Sequence, residues 1–241
     1  MRIPLIDEEC IPIASKQHIF SPEVADAVQS EVRKLADGGV IRKSTSAWAA
    51  RCVTVRKRDG TLRLCQYYRG LNGCTRTNSD GLGNIQEMFQ RLSGNSRFTS
   101  TDLASGFFQL PIVEADRHKT AFRDAFRQLW EYVRCGFGLK ILPPAFASMV
   151  GDLLGNLKEK GVDNYLDEII IYSADFDSHV TLVRAGLSRL QEGGLSADFA
   201  KSRRCCASLE FVGMVVDRQG VRLVDSTLAA VADPSLPFTV E

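Results

Sequence analysis

An acidic pair between two apolar stretches restricts the fold of this chain more than any other feature of the sequence. Asp167 and Glu168 directly precede the run Ile169-Ile170-Ile171, and the pattern predicts a hairpin over residues 162–173 with the two acids at its tip. Strands this apolar are usually buried. We therefore expect both carboxylates to be held rigidly beside a hydrophobic core.

A third acid, Asp102, ends the strand that is predicted over residues 97–102. Carboxylates that gather beside a core repel one another unless a cation joins them. Mg²⁺ prefers such hard oxygen ligands and also takes substrate phosphates, and a pair of ions can activate a 3′-hydroxyl and stabilise pyrophosphate. The residues alone leave open the alternative of an acidic turn without a function.

Composition restricts the class of protein without deciding the function. The chain has 241 residues, 44% of them apolar and 24% charged, which fits one large or two small globular domains. A net charge of +1 gives no overall argument for a nucleic-acid partner. Residues 51–76, however, hold seven Lys or Arg and one acid, so this stretch forms either a phosphate-binding stripe or a solvated basic face.

The cysteines and the hydropathy pattern indicate an intracellular protein that is not secreted. The seven cysteines are odd in number and contain no C-x-x-C pair, which is typical of a reducing compartment. No apolar run approaches the roughly 20 residues that a membrane span needs, so we expect no membrane partner.

Helices and hairpins alternate irregularly along the chain, which predicts an α+β fold. Ser21-Pro22-Glu23 is typical of a helix start with Ser21 as its cap, and Gly38 would end that helix. Further helices are predicted over 85–92, from Pro143 and from Ser178, and hairpins over 50–64 and over 209–224 with a turn at 217–220.

The acidic hairpin resembles a known polymerase box. Tyr165-Leu166-Asp167-Glu168 is similar to the Y-x-D-D box of reverse transcriptases. Over about residues 18–232, further segments resemble the gypsy class of long-terminal-repeat retrotransposon polymerases, in the same order. These segments are Ser46–Ala49, Lys57–Asn72, Thr101–Gln109, Phe137–Phe146 and Asp177–Gly213.

The resemblance implies a right-hand polymerase fold with a fingers subdomain and an antiparallel palm sheet. It implies an N-terminal extension over 1–19, fingers over 20–94 and 118–145, palm over 95–117 and 146–224, and the start of a thumb over 225–241. The thumb would be largely absent from a chain of this length.

The resemblance also assigns the site residues. Asp102, Asp167 and Glu168 would be catalytic, and together with the backbone of Leu103 they would hold two Mg²⁺ ions, with Mn²⁺ as a substitute. The dNTP-binding residues would be Lys57, Arg63, Phe107, Phe137 and Lys201, and the primer or template would meet Phe211, Val212, Gly213 and Met214. Phe107 would exclude the ribose 2′-hydroxyl, and Arg63 would grip the triphosphate.

The implied function is that of an RNA-directed DNA polymerase, a nucleotidyltransferase that copies a primed RNA or DNA template from dNTPs. It would belong to a retrotransposon polyprotein with ribonuclease H and integrase, located in the cytoplasm, a virus-like particle or the nucleus. Glu168 stands where the family has a second aspartate, Tyr67 replaces an aspartate and Gly136 replaces a proline. These departures leave open a catalytically impaired remnant that keeps the fold and binds nucleic acid or protein.

Overall fold

The computed structural model describes residues 1–16, 19–56, 62–76, 83–104 and 106–225. Its helices are α1 (Pro22–Asp37), α2 (Arg69–Cys74), α3 (Ile85–Leu92), α4 (Glu114–Arg117), α5 (Leu142–Leu154) and α6 (Phe176–Glu192). Its strands are β1 (Ile41–Lys43), β2 (Ala50–Arg56), β3 (Leu62–Tyr67), β4 (Arg97–Asp102), β5 (Phe122–Arg123), β6 (Leu129–Tyr132), β7 (Val162–Tyr165), β8 (Glu168–Ser173), β9 (Arg203–Cys206), β10 (Ser208–Phe211), β11 (Met214–Asp217) and β12 (Gly220–Leu223). Short 3₁₀ turns cover Gly106–Gln109, His118–Thr120 and Gly155–Lys160.

The protein divides into two compact units, and each unit is built from two separate segments of the chain. The first unit comprises residues 1–81 and 105–146, and the second comprises residues 82–104 and 147–241. The assignment of fingers and palm to particular ranges stays a prediction.

A five-stranded mixed sheet forms the centre of the first unit, in the order β1-β6-β5-β2-β3. The β2 strand pairs parallel with β5 through Ala50 and Phe122, and the other neighbours are antiparallel. The tyrosines of this core keep polar partners: the buried Tyr132 hydroxyl donates to Gln66 Oε1 at 2.9 Å, and the Tyr68 hydroxyl donates to the Thr120 carbonyl at 2.7 Å.

Helix α1 follows the sequence prediction closely. Pro22 occupies the first turn, Val28, Val32 and Leu35 are buried at helical spacing, and Gly38 follows the last residue. The predicted capping bond is absent, because the Ser21 side chain makes no such hydrogen bond. Only the backbone oxygen of Ser21 takes part, accepting from the Ala25 N–H at 2.9 Å.

Two antiparallel sheets make up the second unit. The first has the order β7-β8-β4-β9, and the second has the order β10-β11-β12. Both sheets contribute to one hydrophobic core, together with α3. Its buried members are Met88, Leu92, Phe98, Ile170, Tyr172, Leu209, Phe211 and Val216.

Strand β4 matches the predicted residues 97–102 and lies between β8 and β9, so both of its edges are paired. Phe98 points into the core of the second unit, whereas Thr99 faces the other way, towards α6. Helix α6 begins after Asp175, whose carboxylate accepts from the Ser178 N–H at 2.9 Å, and it ends before Gly193.

The prediction of an α+β fold with an antiparallel sheet is confirmed, with two corrections to the hairpins. Residues 209–224 form two successive hairpins, one turning at Val212-Gly213 and one at the predicted residues 217–220. The acidic hairpin turns at Leu166 and Asp167, so Glu168 is the first residue of β8 and not part of the tip. Lys57, the turn over 58–60, and the expected thumb start beyond residue 225 lie outside the described residues.

None of the helices among the described residues combines the length and the apolar character that a membrane crossing requires.

Candidate active site

The predicted acids meet where β4 and the β7–β8 hairpin end. Asp102 is the last residue of β4 and lies directly opposite Glu168 in the antiparallel register. Because Tyr165 pairs with Glu168, only two residues form the turn, and Leu166 adopts a left-handed φ of 55°. A leucine in this region is strained by about 1–2 kcal/mol, and such strain persists where the surrounding structure fixes the turn.

Backbone hydrogen bonds hold this tip in place. The Leu103 N–H donates to the Asp167 carbonyl at 3.0 Å, which joins the end of β4 to the hairpin turn. The Asp198 N–H donates to the Asp102 carbonyl at 2.8 Å. The segments that carry Asp102 and Asp167 are therefore tied together through the main chain, independently of their carboxylates.

The electrostatics of Glu168 indicate that the three acids influence one another. Burial, and after it the negative charges of Asp102 and Asp167, raise the pKa of Glu168 to about 7. A hydrogen bond from the Val212 N–H and the positive charge of Arg203 act in the opposite direction. Near neutral pH this carboxyl is therefore divided between its protonated and ionised forms.

A polar cavity of about 320 Å³ within the second unit opens beside two of the acids. Lys201 and Arg203 supply positive charge to its wall, and Lys201 Nζ lies 3.4 Å from Asp198 Oδ2. The cavity is lined by Ser100, Thr101, Asp102, Glu168, Lys201, Arg203, Glu210, Val212 and Gly213. Sequence reasoning missed Arg203 and Glu210. Of these two, only Glu210, which directly precedes the predicted Phe211, had a signal in the sequence.

The donor set of this site suits a hard divalent cation. Within the described ranges, no three or more His, Cys, Asp or Glu side chains are grouped so that they could hold a metal ion. Mg²⁺ usually takes one or two carboxylates, several waters and substrate phosphates, so it does not require three protein ligands. A bound cation would relieve the repulsion between Glu168 and the neighbouring acids, so the residues present fit a divalent cation.

Three predicted nucleotide-binding residues contact one another in the first unit. The Arg63 guanidinium carbon lies 5.4 Å from the ring centroid of Phe137. The Phe137 ring in turn meets Phe107 edge to face at 5.6 Å, and Phe107 packs against Phe146 at 5.5 Å. Aromatic packing thus restrains the Phe107 ring, while Arg63 remains exposed with its charge available.

The hairpin predicted to hold the primer has an unusual turn. Val212 has a φ of 48° and Gly213 a φ of 73°, and Met214 begins β11. A β-branched residue rarely adopts this conformation, so the turn is fixed by its surroundings. Phe211 is 1% exposed within the core of the second unit, which leaves its side chain a structural role behind the turn.

Two departures from the reverse transcriptase pattern have local explanations in the first unit. The Arg51 guanidinium lies over the Tyr67 ring at 4.4 Å, and a hydrogen bond with Arg69 is the main reason why the pKa of Tyr67 is lowered. At Gly136, an added Cβ would lie 2.4 Å from the Tyr132 ring, so any side chain at that position would force the packing to shift.

Comparison with known proteins identifies the family. The sequence profile of the family described as reverse transcriptase (RNA-dependent DNA polymerase) matches residues 55–216, more than half of the chain. The chain belongs to the reverse transcriptase family.

Curated relatives are polyproteins of transposable elements. The chain is 28% identical over 215 residues to the transposon Tf2-7 polyprotein of Schizosaccharomyces pombe, covering 89% of this chain and 16% of the polyprotein. It is also 28% identical over 235 residues to the retrovirus-related Pol polyprotein from transposon opus of Drosophila melanogaster, covering 95% and 23%. The chain thus spans less than a quarter of the length of these relatives.

Solved structures show the same polymerase fold. The foamy viral protease-reverse transcriptase in complex with an RNA/DNA hybrid superposes with a TM-score of 0.86 at 21% identity, covering 98% of this chain and 32% of that one. A second foamy viral structure, in complex with double-stranded DNA, gives a TM-score of 0.88 at 22% identity, covering 98% and 41%. The predicted right-hand polymerase fold is confirmed.

Proposed function

We propose that this chain is the polymerase part of a gypsy-class retroelement reverse transcriptase, which adds deoxynucleotides to a primer on an RNA or DNA template. The observation that carries the proposal is the meeting of Asp102, Asp167 and Glu168 at adjoining strand ends. Their charges act on one another strongly enough to contribute to the raised pKa of Glu168. A carboxylate group of this kind is suited to cations and to the phosphates that cations bring.

The acids would hold the metal ions. Asp102, Asp167 and the backbone oxygen of Leu103 would be the ligands, with Glu168 as the third carboxylate. When bound, two Mg²⁺ ions supply activation of the primer 3′-hydroxyl and neutralisation of charge on the leaving pyrophosphate, and Mn²⁺ is a chemically related substitute. The strained turn at Leu166 and the bond from Leu103 to Asp167 hold the ligands in position beforehand.

The aromatic group of the first unit would select and orient the nucleotide. Arg63 presents a planar fork of N–H donors that matches a phosphate better than a lysine does. The ring of Phe107, restrained by Phe137 and Phe146, would occupy the space of a ribose 2′-hydroxyl and so favour dNTPs. Lys57 would add a second positive charge.

Residues of the second unit would serve the primer end and the leaving group. Lys201 lines the acidic cavity and would hold a proton for the departing pyrophosphate. The turn at Val212-Gly213 lines the same cavity, and its fixed backbone would position the primer terminus.

The polyprotein context of the relatives supports a wider assignment. We propose that the chain acts inside the cell as one part of a retroelement polyprotein, alongside ribonuclease H and integrase. Its first unit would correspond mainly to the fingers and its second unit mainly to the palm.

A second function is favoured by one observation. Glu168 reaches the Val212 N–H, so its longer side chain is held by the neighbouring hairpin. A chain whose third carboxylate is diverted in this way would keep the fold and bind nucleic acid with little or no polymerisation. Both functions would include binding of the duplex, and they would differ in the rate of the chemical step.

Primer extension distinguishes an active polymerase from a non-polymerising remnant. Wild-type protein and Glu168→Asp are compared with an RNA template, a DNA primer and dNTPs, in Mg²⁺ and in Mn²⁺, and duplex affinity is measured in parallel. We expect slow extension by the wild type and at least a tenfold increase in Glu168→Asp, because each displaced ligand costs orders of magnitude in rate. Duplex affinity should stay within about twofold, because phosphate contacts come from basic residues.

The outcomes are distinct. Equal extension by both proteins in Mg²⁺ would show that Glu168 is a competent ligand. Duplex binding without extension by either protein would support the non-polymerising remnant and contradict the polymerase proposal.

A further inference from the structure

His179 lies on the face of α6 that packs against the sheet of the second unit, and its side chain is 1% exposed. Both ring nitrogens have partners. Nε2 lies 2.8 Å from Thr99 Oγ1, and Nδ1 lies 3.2 Å from Ser173 Oγ. The first of these partners belongs to β4, the strand that ends at Asp102.

The hydrogen-bond directions follow from counting protons. The Ser173 hydroxyl donates its single proton to the Asp175 carbonyl at 2.8 Å, so it can only accept from His179. Nδ1 therefore carries the imidazole proton, and Nε2 accepts from the Thr99 hydroxyl. Thr99 Oγ1 also accepts from the Cys205 N–H at 3.0 Å. One directed chain thus runs from Cys205 through Thr99, His179 and Ser173 to Asp175.

Cys205 sits in an irregularity of β9. Phe98 of β4 pairs with Cys206 and Ser100 pairs with Arg203, so Thr99 alone faces two residues of β9. This is the pattern of a β-bulge, and Cys205 adopts a left-handed φ of 51° there. The extra residue of a bulge leaves the ladder, and the Thr99 hydroxyl supplies the acceptor for its N–H.

The bulge determines which residues of β9 reach the acidic cavity. Arg203 lies opposite Ser100 because of the extra residue, and Arg203 lines the cavity together with Lys201. Ser202, between them, contacts Thr101 Oγ1 at 2.7 Å. A change of one residue in this register would move Arg203 to the other face of the strand, away from Glu168.

We propose that His179 is a positioning residue that, through Thr99, fixes the β9 bulge and so holds Arg203 and Lys201 at the acidic cavity. The link to catalysis rests on the proposed polymerase function, whereas the hydrogen-bond chain does not depend on it.

Acidic pH would break this hydrogen-bond chain. Protonated Nε2 would be a donor facing the Thr99 hydroxyl, which would then lose its acceptor. Burial, and secondly the positive charge of Arg97 on β4, lower the pKa of His179 below its usual 6.5. The Asp175 carboxylate at the start of α6 is occupied by Ser178. Because the folded pKa is depressed, the contribution of the link is complete above pH 6.5 and is lost as the pH falls.

The test uses two amides of different reach in the full chain. An asparagine side chain reaches the position of imidazole Nδ1, and a glutamine reaches that of Nε2. His179→Gln therefore keeps an acceptor for Thr99, and His179→Asn does not. The readout is hydrogen exchange of the Cys205 amide relative to the Ile170 amide in β8, which corrects for any change in global stability.

We expect His179→Asn and Thr99→Val each to reduce the relative protection of Cys205 about tenfold, roughly the effect of one lost hydrogen bond. His179→Gln and Thr99→Ser should stay within about threefold of the wild type. Adding His179→Asn to Thr99→Val should cause no further loss. Nitrogen chemical shifts of the imidazole should report the Nδ1-protonated tautomer of His179. Protection in His179→Asn equal to the wild type would overturn the proposal.

A second arm addresses the reaction in a Glu168→Asp background. Adding His179→Asn should lower kcat about tenfold to a hundredfold with unchanged duplex affinity, and His179→Gln should restore it. Unchanged kcat in His179→Asn despite lost Cys205 protection would refute the positioning role. Absence of extension from every version would instead refute the proposed function, and the exchange result would still decide the hydrogen-bond chain.

Discussion

The charge of Glu168 should make the folded chain less stable as the pH rises. The pKa of this carboxyl is raised from 4.5 to about 7 in the folded chain, first by burial and then by Asp102. Between these two values the folded chain keeps a proton that the unfolded chain has released. Stability therefore falls as the pH rises through this window and reaches its lower level above pH 7.

The magnitude follows from the two pKa values. One pKa unit corresponds to about 1.4 kcal/mol, so a fully enclosed carboxyl would lose about 3 kcal/mol over the window. Glu168 is only half-buried, and solvent screens part of the repulsion, which reduces the expectation to about 1–2 kcal/mol. Glu168→Gln removes the charge and keeps an oxygen for the Val212 N–H. We therefore expect Glu168→Gln to be more stable than the wild type by this amount at pH 8, and about equal at pH 5.

The assay is urea unfolding at pH 5 and at pH 8 in the presence of a chelator. The matched control is Glu159→Gln, because Glu159 is exposed on the 3₁₀ turn Gly155–Lys160. The control should track the wild type at both pH values. Added Mg²⁺ should narrow the difference at pH 8, since a cation stabilises the ionised carboxylates of the wild type. A Glu168→Gln variant that is no more stable than the wild type at pH 8 would refute the reasoning.

Three further expectations concern residues of the first unit, and the last one uses Gly94 of the second unit as its comparison. Phe107→Val should raise ribonucleotide incorporation at least about tenfold in an active background, because the lost ring opens space at the sugar; unchanged dNTP preference would show that Phe107 only packs against its neighbours. Arg63→Lys should raise KM for dNTP with little change in duplex affinity, because a point charge replaces a planar fork; an unchanged KM would contradict a triphosphate contact. Gly136→Ala should destabilise the chain by about 1–3 kcal/mol in urea unfolding, because its Cβ would overlap the Tyr132 ring. In Gly94→Ala the new Cβ meets no neighbour. Because Gly94 has a φ of 83°, that variant should cost only about 1–2 kcal/mol of backbone strain.

Sequence reasoning located the elements where local signals agree with the fold. Strand β4 and helix α3 have the predicted bounds. Phe98, Thr99 and Thr101 favour a strand that ends at Asp102, and helical apolar spacing marks α3. Helix α1 begins and ends as predicted for the same reason. The acids at the end of β4 and at the β7–β8 hairpin turn were predictable, because a charged residue beside a buried apolar strand is expected at the end of that strand and not within it.

The features that escaped prediction depend on contacts between distant segments. Leu166 and Val212 both adopt left-handed backbone conformations that leucine and valine disfavour. The sequence pattern therefore placed the acidic turn one residue too late and did not predict the turn at Val212-Gly213. The bulge at Cys205 has no local signal, because its N–H is satisfied by Thr99, more than a hundred residues away. Arg203 joins the cavity only through that bulge, which is why its role was not visible in the sequence.

The central claim is that Asp102 and Asp167 are the metal ligands of a polymerase active site. The most direct measurement is single-nucleotide incorporation in Mg²⁺ by Glu168→Asp, compared with the same protein carrying either Asp102→Asn or Asp167→Asn. We predict that either asparagine lowers the rate by at least about a thousandfold, while the affinity for primer-template stays within about twofold. Incorporation by the Asp102→Asn or Asp167→Asn protein at a rate close to that of Glu168→Asp would contradict the account.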